Sequence, residues 1–400
     1  MDITRDTDQD STAPSVSADG MRVAFATRAT NLAETSGAVE GLVYDRRSGK
    51  FSVTTSAGKP AENGPPWISP DGTFVSFWSS RSLESSDRNG VRDYYRLEIA
   101  SRRVQRVSQF ADPQLDALGK LSGAIAPDGT RGVFELDHQL QMYFVDASSG
   151  ASSALSADGA GSVPDLEVTE PAFSSNGKFL VFTSAATNFL DIPRLGEAQA
   201  YVQDLTTQRT EPVSVSSSGL LGNYHSAAPA ISGDGARIAF QSAASNLVDD
   251  DSNEVSDIFV RDRRTGTTRR ISVASDGTQA NGSSFAPAIS ADGRYVAFLS
   301  HADNLTPGDH NQRVDVYVHE LASHRTVRVS VDASGKRGGG SACDLDGSDC
   351  PAPALSADGT IVVFQSSAGD LAPGSAPGRS DIYWVAWQRL PLPVPPPPQL

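Results

Sequence analysis

A short pattern recurs seven times along this chain of 400 residues and constrains its fold more than any other feature. Each copy has an apolar run, a turn around Asp-Gly or Asn-Gly, and a second apolar run that ends in phenylalanine. The copies are residues 15–25, 67–77, 124–134, 172–182, 230–240, 288–298 and 354–364. Successive turn acids lie between 48 residues (Asp128 to Asn176) and 66 residues (Asp292 to Asp358) apart. Such a period is typical of a β-propeller. The sequence therefore predicts an all-β, seven-bladed propeller with four antiparallel strands per blade.

The sixth unit shows the predicted blade most clearly. Its turn contains Asp292, whose side chain can bond its own backbone, and Gly293, which accepts a positive φ without steric cost. Short runs of strand-forming residues surround this turn, and no segment of useful length has the period of a helix. The predicted strands are residues 288–290, 295–299, 315–319 and 327–331.

The two ends of the chain complement each other. The last unit supplies three clear strands, the third at residues 381–385, while residues 2–5 (Asp-Ile-Thr-Arg) stand alone at the N-terminus. That segment resembles a fourth strand such as residues 270–273 (Arg-Ile-Ser-Val). We therefore predict that residues 2–5 form the outer strand of the last blade and close the ring, which hides both edges of the sheet array.

Residues 389–400 lie outside the repeat, so we place the propeller domain at residues 1–388. The tail is rich in proline and favours polyproline II, a conformation without internal hydrogen bonds. It has three interpretations: a linker to another domain, a ligand for an aromatic-lined groove, or a disordered tail.

Composition excludes several classes of partner. The formal net charge is −15 and no cluster of Lys and Arg forms a basic stripe, so we expect no binding to nucleic acid. No run approaches 18 apolar residues, so we expect no membrane insertion.

The hydrophobic content of 38% is low, but the hydrophobic residues fall in periodic runs that blades can bury, and this periodicity argues against general disorder. An acidic protein is also able to recruit cations. The oligomeric state is not indicated.

Two cysteines, Cys343 and Cys350, lie in one loop with six residues between them. They predict either a disulfide that closes a small loop, and hence an oxidising compartment, or two free thiols. Two thiols without nearby histidines would leave zinc with too few ligands. The first dozen residues are polar and acidic and do not form a signal peptide. The cysteine pair favours a periplasmic or extracellular protein whose leader is absent from this chain over a cytoplasmic one.

The repeat unit has a family resemblance. The pattern P-x-[IFL]-S-x-D-G-x-x-[VI]-[AV]-F, followed by D-[IV]-[FY]-V and R-x-[IV]-S, resembles the WD40-like "PD40" repeats of TolB-type propellers over residues 2–387. The resemblance implies an exported bacterial propeller that acts as a binding or scaffold module. TolB itself has six blades and an N-terminal α/β domain. This sequence shows seven units and no such domain, so a role in the Tol envelope system does not carry over.

Loop lengths predict the binding face. The turns between strands 1 and 2 and between strands 3 and 4 are short, whereas the 2–3 loops and the 4–1 connections are long and share one rim. Long loops on a rigid scaffold are common binding sites. On this rim we single out Asn223, Tyr224 and His225. His225 is the histidine to test for catalysis, and the alternative is a solvated loop histidine.

Three of the long 2–3 loops share the pattern D-x-N-x-x-x-D. Oxygen ligands at positions 1, 3 and 7 resemble part of a calcium loop, although position 5 is Val or Arg and no glutamate closes the loop. The alternative is an Asx turn that starts strand 3. The candidate ligands are Asp87, Asn89, Asp93, Asp249, Asp251, Asn253, Asp257, Asp309, Asn311 and Asp315.

An Asn-Leu pair, or a close variant, follows strand 2 at a fixed distance in several units, as at Asn246-Leu247 and Asn304-Leu305. We interpret it as a turn with an apolar plug.

Three functions are compatible with these sequence features. The leading one is a non-catalytic module that binds a protein or glycan through the long-loop rim, because acid–base pairs and a G-x-S-x-G motif are missing from the sequence. The second is a polysaccharide lyase or hydrolase that uses Asp249, Asp251 and Asp309, with metal-assisted chemistry. The third is a structural repeat of a larger cell-surface protein. Buried carboxylates or histidines in the axial funnel would favour an enzyme, and exposed aromatic side chains would favour partner binding.

Overall fold

Seven antiparallel sheets form a ring in which each repeat of the sequence is one blade, so the predicted seven-bladed propeller is confirmed. The computed structural model describes residues 1–4, 6–32, 40–53, 64–155, 162–189, 197–309, 313–332, 351–372 and 378–390. Arg5 of the predicted closing strand, Cys343, Cys350, Asn311 and the tail from residue 391 onward lie outside these ranges.

Each blade runs from an innermost strand 1 at the axis to an outermost strand 4, with neighbouring strands paired in sequence order. Blades 1 to 4 contain β1 Ser11–Val16, β2 Arg22–Thr27, β3 Glu40–Asp45, β4 Lys50–Val53, β5 Trp67–Ile68, β6 Phe74–Ser79, β7 Asp93–Glu98, β8 Val104–Arg106, β9 Lys120–Ile125, β10 Arg131–Leu136, β11 Met142–Asp146, β12 Ser152–Ala154, β13 Val168–Phe173, β14 Phe179–Ser184, β15 Gln199–Asp204 and β16 Arg209–Pro212.

Blades 5 to 7 continue the same order. Their strands are β17 Ser226–Ile231, β18 Arg237–Ser242, β19 Asp257–Asp262, β20 Thr267–Arg270, β21 Ser284–Ile289, β22 Tyr295–Ser300, β23 Asp315–Glu320, β24 Arg325–Arg328, β25 Ala354–Leu355, β26 Ile361–Ser366 and β27 Asp381–Ala386. Helical structure in the described residues is confined to α1, Pro113–Asp116, and a 3-10 turn, Trp387–Arg389. Neither segment has the length and apolar character needed to cross a membrane.

The core lies between the blades, where the two central strands of each sheet bury their side chains on both faces. The phenylalanine that ends each sequence repeat stacks on an aromatic ring of strand 3 in most blades. In blade 6 the ring centroids of Phe298 and Tyr317 are 5.8 Å apart, and in blade 5 those of Phe240 and Phe259 are also 5.8 Å apart. Each buried aromatic side chain contributes about 1.5–3 kcal/mol through the hydrophobic effect, so these rings are a substantial part of each core cluster.

The N-terminal segment closes the ring as predicted. Residues 1–4 lie beside β27 and complete the fourth strand position of blade 7: Ile3 N–H donates to the carbonyl of Ile382 at 2.8 Å, and Trp384 N–H donates to the carbonyl of Met1 at 3.0 Å. The side chain of Ile3 is buried in the core between blades 7 and 1. The two ends of the chain therefore share one sheet.

The closing segment also reproduces the side-chain bonds of an internal fourth strand. The hydroxyl of Thr4 donates to Asp381 at 3.0 Å and accepts from Ile382 N–H at 2.9 Å. In blade 5 the hydroxyl of Ser272 donates to Asp257 at 2.5 Å and accepts from the N–H of Ile258 at 3.1 Å. Thr4 thus takes the place of Ser272, in the register that the sequence comparison predicts.

The Asn-Leu pairs connect the long loops to one another. Asn246 Oδ1 accepts the N–H of Asn223 at 2.9 Å and its Nδ2 donates to the carbonyl of Leu221 at 2.9 Å, while Leu247 is buried. Asn31, Asn188 and Asn304 make equivalent bonds in three other blades. The prediction of a turn with an apolar plug is confirmed at Asn246-Leu247, and in these four blades the bonds also join the 4–1 connection to the following 2–3 loop.

Candidate functional site

The predicted rim residues are exposed at the entrance to blade 5. The rings of Tyr224 and His225 lie 5.0 Å apart, and 52% of Tyr224 is accessible to solvent. Asn223 instead bonds the neighbouring loop, donating from Nδ2 to Ser245 Oγ at 3.1 Å and accepting the Ser245 N–H at 3.0 Å. The rim therefore offers two exposed rings, and Asn223 has a structural role.

The D-x-N-x-x-x-D loop of blade 2 surrounds a buried arginine from strand 4. Arg106 Nη1 lies 3.1 Å from Asp87 Oδ1 and 3.3 Å from Asp93 Oδ2. Asn89 accepts the N–H of Val91, which is an Asx turn, and donates to Asp93 at 2.8 Å. Burial alone would lower the pKa of Arg106, but its neighbouring carboxylates raise it. The loop is thus an arginine–carboxylate network.

The pairing of a strand 4 arginine with loop carboxylates recurs in two other blades. In blade 5, Arg270 Nη1 lies 3.1 Å from Asp251, and in blade 6, Arg328 Nη1 lies 3.0 Å from Asp309. Asp249 is exposed. Within the described ranges, no group of three or more His, Cys, Asp or Glu side chains is placed to hold a metal ion. Calcium binding at these loops stays a prediction, and an ion bound to both carboxylates would have to displace the guanidinium.

Hydrogen bonds between strand 1–2 turns join most neighbouring blades near the axis. Ala18 N–H donates to the carbonyl of Pro70 at 2.7 Å, joining blade 1 to blade 2, and Gly233 N–H donates to the carbonyl of Ala291 at 2.8 Å, joining blade 5 to blade 6. Similar bonds join blades 4 and 5, 6 and 7, and 7 and 1. Within the channel, Glu170 Oε2 also accepts the N–H of Ala228 at 2.7 Å, between blades 4 and 5.

Among the residues described, the junctions between blades 2 and 3 and between blades 3 and 4 lack these turn-to-turn bonds. The residue before the turn acid, which donates in blades 1, 5 and 7, is Pro70 in blade 2 and Pro127 in blade 3, and proline has no N–H. Arginine side chains still connect the turns there, as they do at other junctions such as Arg237 to Gly293: Arg96 donates to the carbonyl of Gly129 at 2.9 Å and Arg131 to that of Gly177 at 2.6 Å. We call the two junctions, between β5 and β9 and between β9 and β13, the seam.

A cavity of about 350 Å³ lies at the seam. Aromatic, proline, isoleucine and small side chains line it, and none of the described lining side chains is charged or carries an amide. The lining residues are Pro65, Trp67, Ser76, Phe77, Trp78, Tyr94, Gly123, Ala124, Ile125, Pro171, Ala172 and Phe173. Cavities of this size and apolar character are common ligand sites in proteins. The cavity is therefore a candidate site formed by the described residues, and the predicted rim around Tyr224 stays a second one.

Local sequence explains how the cavity is built. Trp67 stands at a strand 1 position that is Ala or Ser in the other six repeats, and 38% of it is exposed. The guanidinium carbon of Arg92 lies 4.0 Å from the ring centroid of Trp78, a cation–π contact that covers one face of this indole. A Cβ on Gly64 would lie 1.7 Å from Nε1 of Trp78, so glycine is required where the chain passes this ring. At Gly123, where most repeats have proline, a Cβ would lie 2.4 Å from Phe134.

Sequence reasoning missed this site, although a signal was present. Blade 2 carries aromatic residues at three aligned positions, Trp67, Trp78 and Tyr94, where the other repeats have small, polar or aliphatic residues. Comparison of the repeats position by position would have exposed this exception.

Exposed apolar side chains are concentrated in the same blades. Five of the eight large hydrophobic residues exposed in the described part of the chain belong to blades 2 to 4 or to the connection that enters blade 4. These five are Trp67, Leu121, Leu140, Val163 and Leu166. Since exposed apolar residues mark interaction surfaces more often when they are grouped, blades 2 to 4 are the part of the described chain that most favours an interaction surface.

Comparison with known proteins identifies the fold. No family model and no curated protein matches this sequence. Similar solved structures include an oligogalacturonate lyase in complex with manganese (12% identity, TM-score 0.58, covering 94% of this chain and 89% of the lyase). They also include the tricorn protease (12%, 0.54, covering 95% and 34%) and a putative TolB from Agrobacterium tumefaciens (15%, 0.45, covering 84% and 94%). At these identities the likeness shows the propeller fold alone.

Proposed function

We propose that this propeller is a non-catalytic binding module whose ligand occupies the seam cavity. The observation that supports this function most strongly is the aromatic lining, with Trp67 and Trp78 in a cavity of about 350 Å³. The sequence leaves two ligand classes open, a protein and a glycan. A sugar needs several hydrogen-bond partners for its hydroxyl groups, and the described lining offers few polar side chains, none of them charged or an amide. A protein ligand is therefore the better match.

The second candidate function is a polysaccharide lyase or hydrolase, which is favoured by the likeness to an oligogalacturonate lyase. The carboxylates proposed for it do not line the cavity: Asp251 pairs with Arg270, Asp309 pairs with Arg328, and Asp249 is exposed on a loop. Burial raises the pKa of Asp251, with Arg270 opposing the shift. Incubation with oligogalacturonate, with and without manganese, tests this candidate, and formation of unsaturated products would establish catalysis.

A comparison of two variants tests the binding proposal. The full chain is used to probe a random-peptide phage library and a printed glycan array. Trp67→Ala removes an exposed ring from the cavity, and Tyr224→Ala removes one from the rim of blade 5. We expect selected peptides to lose binding to Trp67→Ala and to keep it with Tyr224→Ala. Binding that depends on Tyr224 instead would return the site to that rim, and the absence of any ligand in both formats would refute the proposal.

A further inference from the structure

The chain itself contains a segment with the chemistry that the seam cavity favours. Residues 391–400 have the sequence PLPVPPPPQL, with six prolines and three other apolar residues among ten. Proline-rich segments in polyproline II bind grooves lined by aromatic side chains, because the segment is already extended and loses little entropy on binding. The lining of the cavity, with two tryptophans, a tyrosine and two prolines, fits such a segment.

The described chain ends on the face of the propeller that carries the strand 1–2 turns. Trp387 Nε1 donates to the carbonyl of Gly359, in the turn of blade 7, at 2.7 Å, and Gln388 Nε2 donates to the hydroxyl of Tyr295 at 3.2 Å. Leu390 packs against the cluster of buried residues that contains Tyr295 and Trp387. The seam turns that contain Pro70 and Pro127 lie on this face as well. The chain therefore leaves the fold on the face where the seam turns lie.

The length of the remaining segment is sufficient to reach the axis. Ten residues in polyproline II span roughly 31 Å, at 3.1 Å per residue. A compact domain of 400 residues has a radius of gyration of about 21 Å. A segment that starts at the edge of blade 7 can thus cross the face of the disc to the innermost strands of blades 2 to 4.

We propose that residues 391–400 bind in the seam cavity of the same chain. This inference uses the site of the proposed function and gives it an internal ligand, which an external protein would have to displace. A tethered segment of this length has an effective concentration in the millimolar range. Binding in the same chain therefore weakens the apparent affinity for any competing ligand.

The test is calorimetric titration of a synthetic peptide with the sequence of residues 391–400. The receptor is the full chain with serine in place of the four prolines at residues 395–398, which leaves the cavity free. We expect this receptor to bind the peptide and the wild-type chain to bind it at least about 10-fold more weakly, because its own tail competes. No heat with the serine variant, or equal affinity for both receptors, would overturn the proposal.

Two further substitutions in the serine variant locate the binding site. Trp67→Ala should weaken the peptide roughly 30-fold, as expected for loss of an aromatic anchor. Ala172→Leu, which fills the cavity while keeping every ring, should weaken it as well, and Tyr224→Ala should leave it unchanged. Melting curves confirm that each variant is folded. Unchanged affinity in both cavity variants would refute the assignment. Failure of the peptide alongside Trp67-dependent phage ligands would remove only this inference, whereas peptide binding without phage ligands would remove only the proposed function.

Discussion

Removal of one hydroxyl group at the N-terminus should destabilise the whole ring. Thr4 is buried, and its hydroxyl bonds both the carboxylate of Asp381 and the N–H of Ile382. Thr4→Val keeps the shape of the side chain but leaves both groups without this partner. Asp381 retains Arg379, whose Nη2 lies 3.0 Å from its Oδ2.

The magnitude follows from the two lost bonds. An unsatisfied buried group costs about 1–3 kcal/mol, and the partner that remains on Asp381 reduces its share, so we expect a total loss of about 3 kcal/mol. The entropy of unfolding of a chain of this length is roughly 0.8 kcal/mol/K at the melting temperature, so the loss lowers that temperature by about 4 °C. Differential scanning calorimetry measures the shift.

Ser272→Ala in blade 5 is the matched control, because it removes the same two bonds from a strand that is covalently continuous on both sides. Both variants should lose comparable stability. Only Thr4→Val should also speed hydrogen exchange at the amides of Ile382 and Trp384, since only there can the outer strand detach. A melting temperature within about 1 °C of wild type, roughly a quarter of the expected shift, together with unchanged exchange along β27, would refute the closure argument.

Three other perturbations have defined outcomes. Burial, followed by the charges of His324 and Arg269, lowers the pKa of His319 from 6.5 to about 4. The contribution of His319 to stability is therefore full above pH 6.5 and falls as the pH drops towards 4. His319→Gln should flatten this fall in the free energy of unfolding measured in urea, and a fall like that of wild type would contradict the assignment. Burial tends to raise the pKa of Asp234, but hydrogen bonds from the Ala236 N–H and the Ser232 hydroxyl, with Arg264, outweigh burial and lower that pKa. The contribution of Asp234 to stability is therefore present above about pH 4 and lost below it. Asp234→Asn should reduce the drop in melting temperature between about pH 7 and about pH 3, and an identical drop would count against the assignment. If calcium binds in blade 5, Arg270→Ala should raise its affinity in calorimetry of chelator-treated protein, and no heat from either protein would end the calcium prediction.

The sequence predicts the strands and the closure well because both depend on local patterns. Each strand has its own alternation of apolar residues and its own turn, and the closing segment matches an internal strand residue for residue, Ile3 with Ile271 and Thr4 with Ser272. The signals for each strand lie within a few residues of one another, so they can be recognised without knowledge of the neighbouring blades.

The arginine networks and the seam could not be predicted in the same way. Arg106 follows Asp93 by 13 residues, and only the pairing of β7 with β8 brings the two together. The seam depends on bonds between different blades. In the sequence, Pro70 and Pro127 look like ordinary turn residues, and the effect of their missing N–H becomes clear only when the turn-to-turn bonds of the other blades are known. Loop length pointed to the rim around Tyr224, which stays a prediction, whereas the cavity is recognised only once the strands of three blades are brought together.

The closure of blade 7 also sets the order in which the protein can be completed during synthesis. Residues 1–4 leave the ribosome long before β27 does, since 377 residues separate Thr4 from Asp381. At about 5–20 residues per second, the leading segment waits roughly 20–75 s for its partner strand. Throughout that time the newly made blades form an open arc with exposed edges, so chaperone capture or pairing between two nascent chains competes with completion of the native fold.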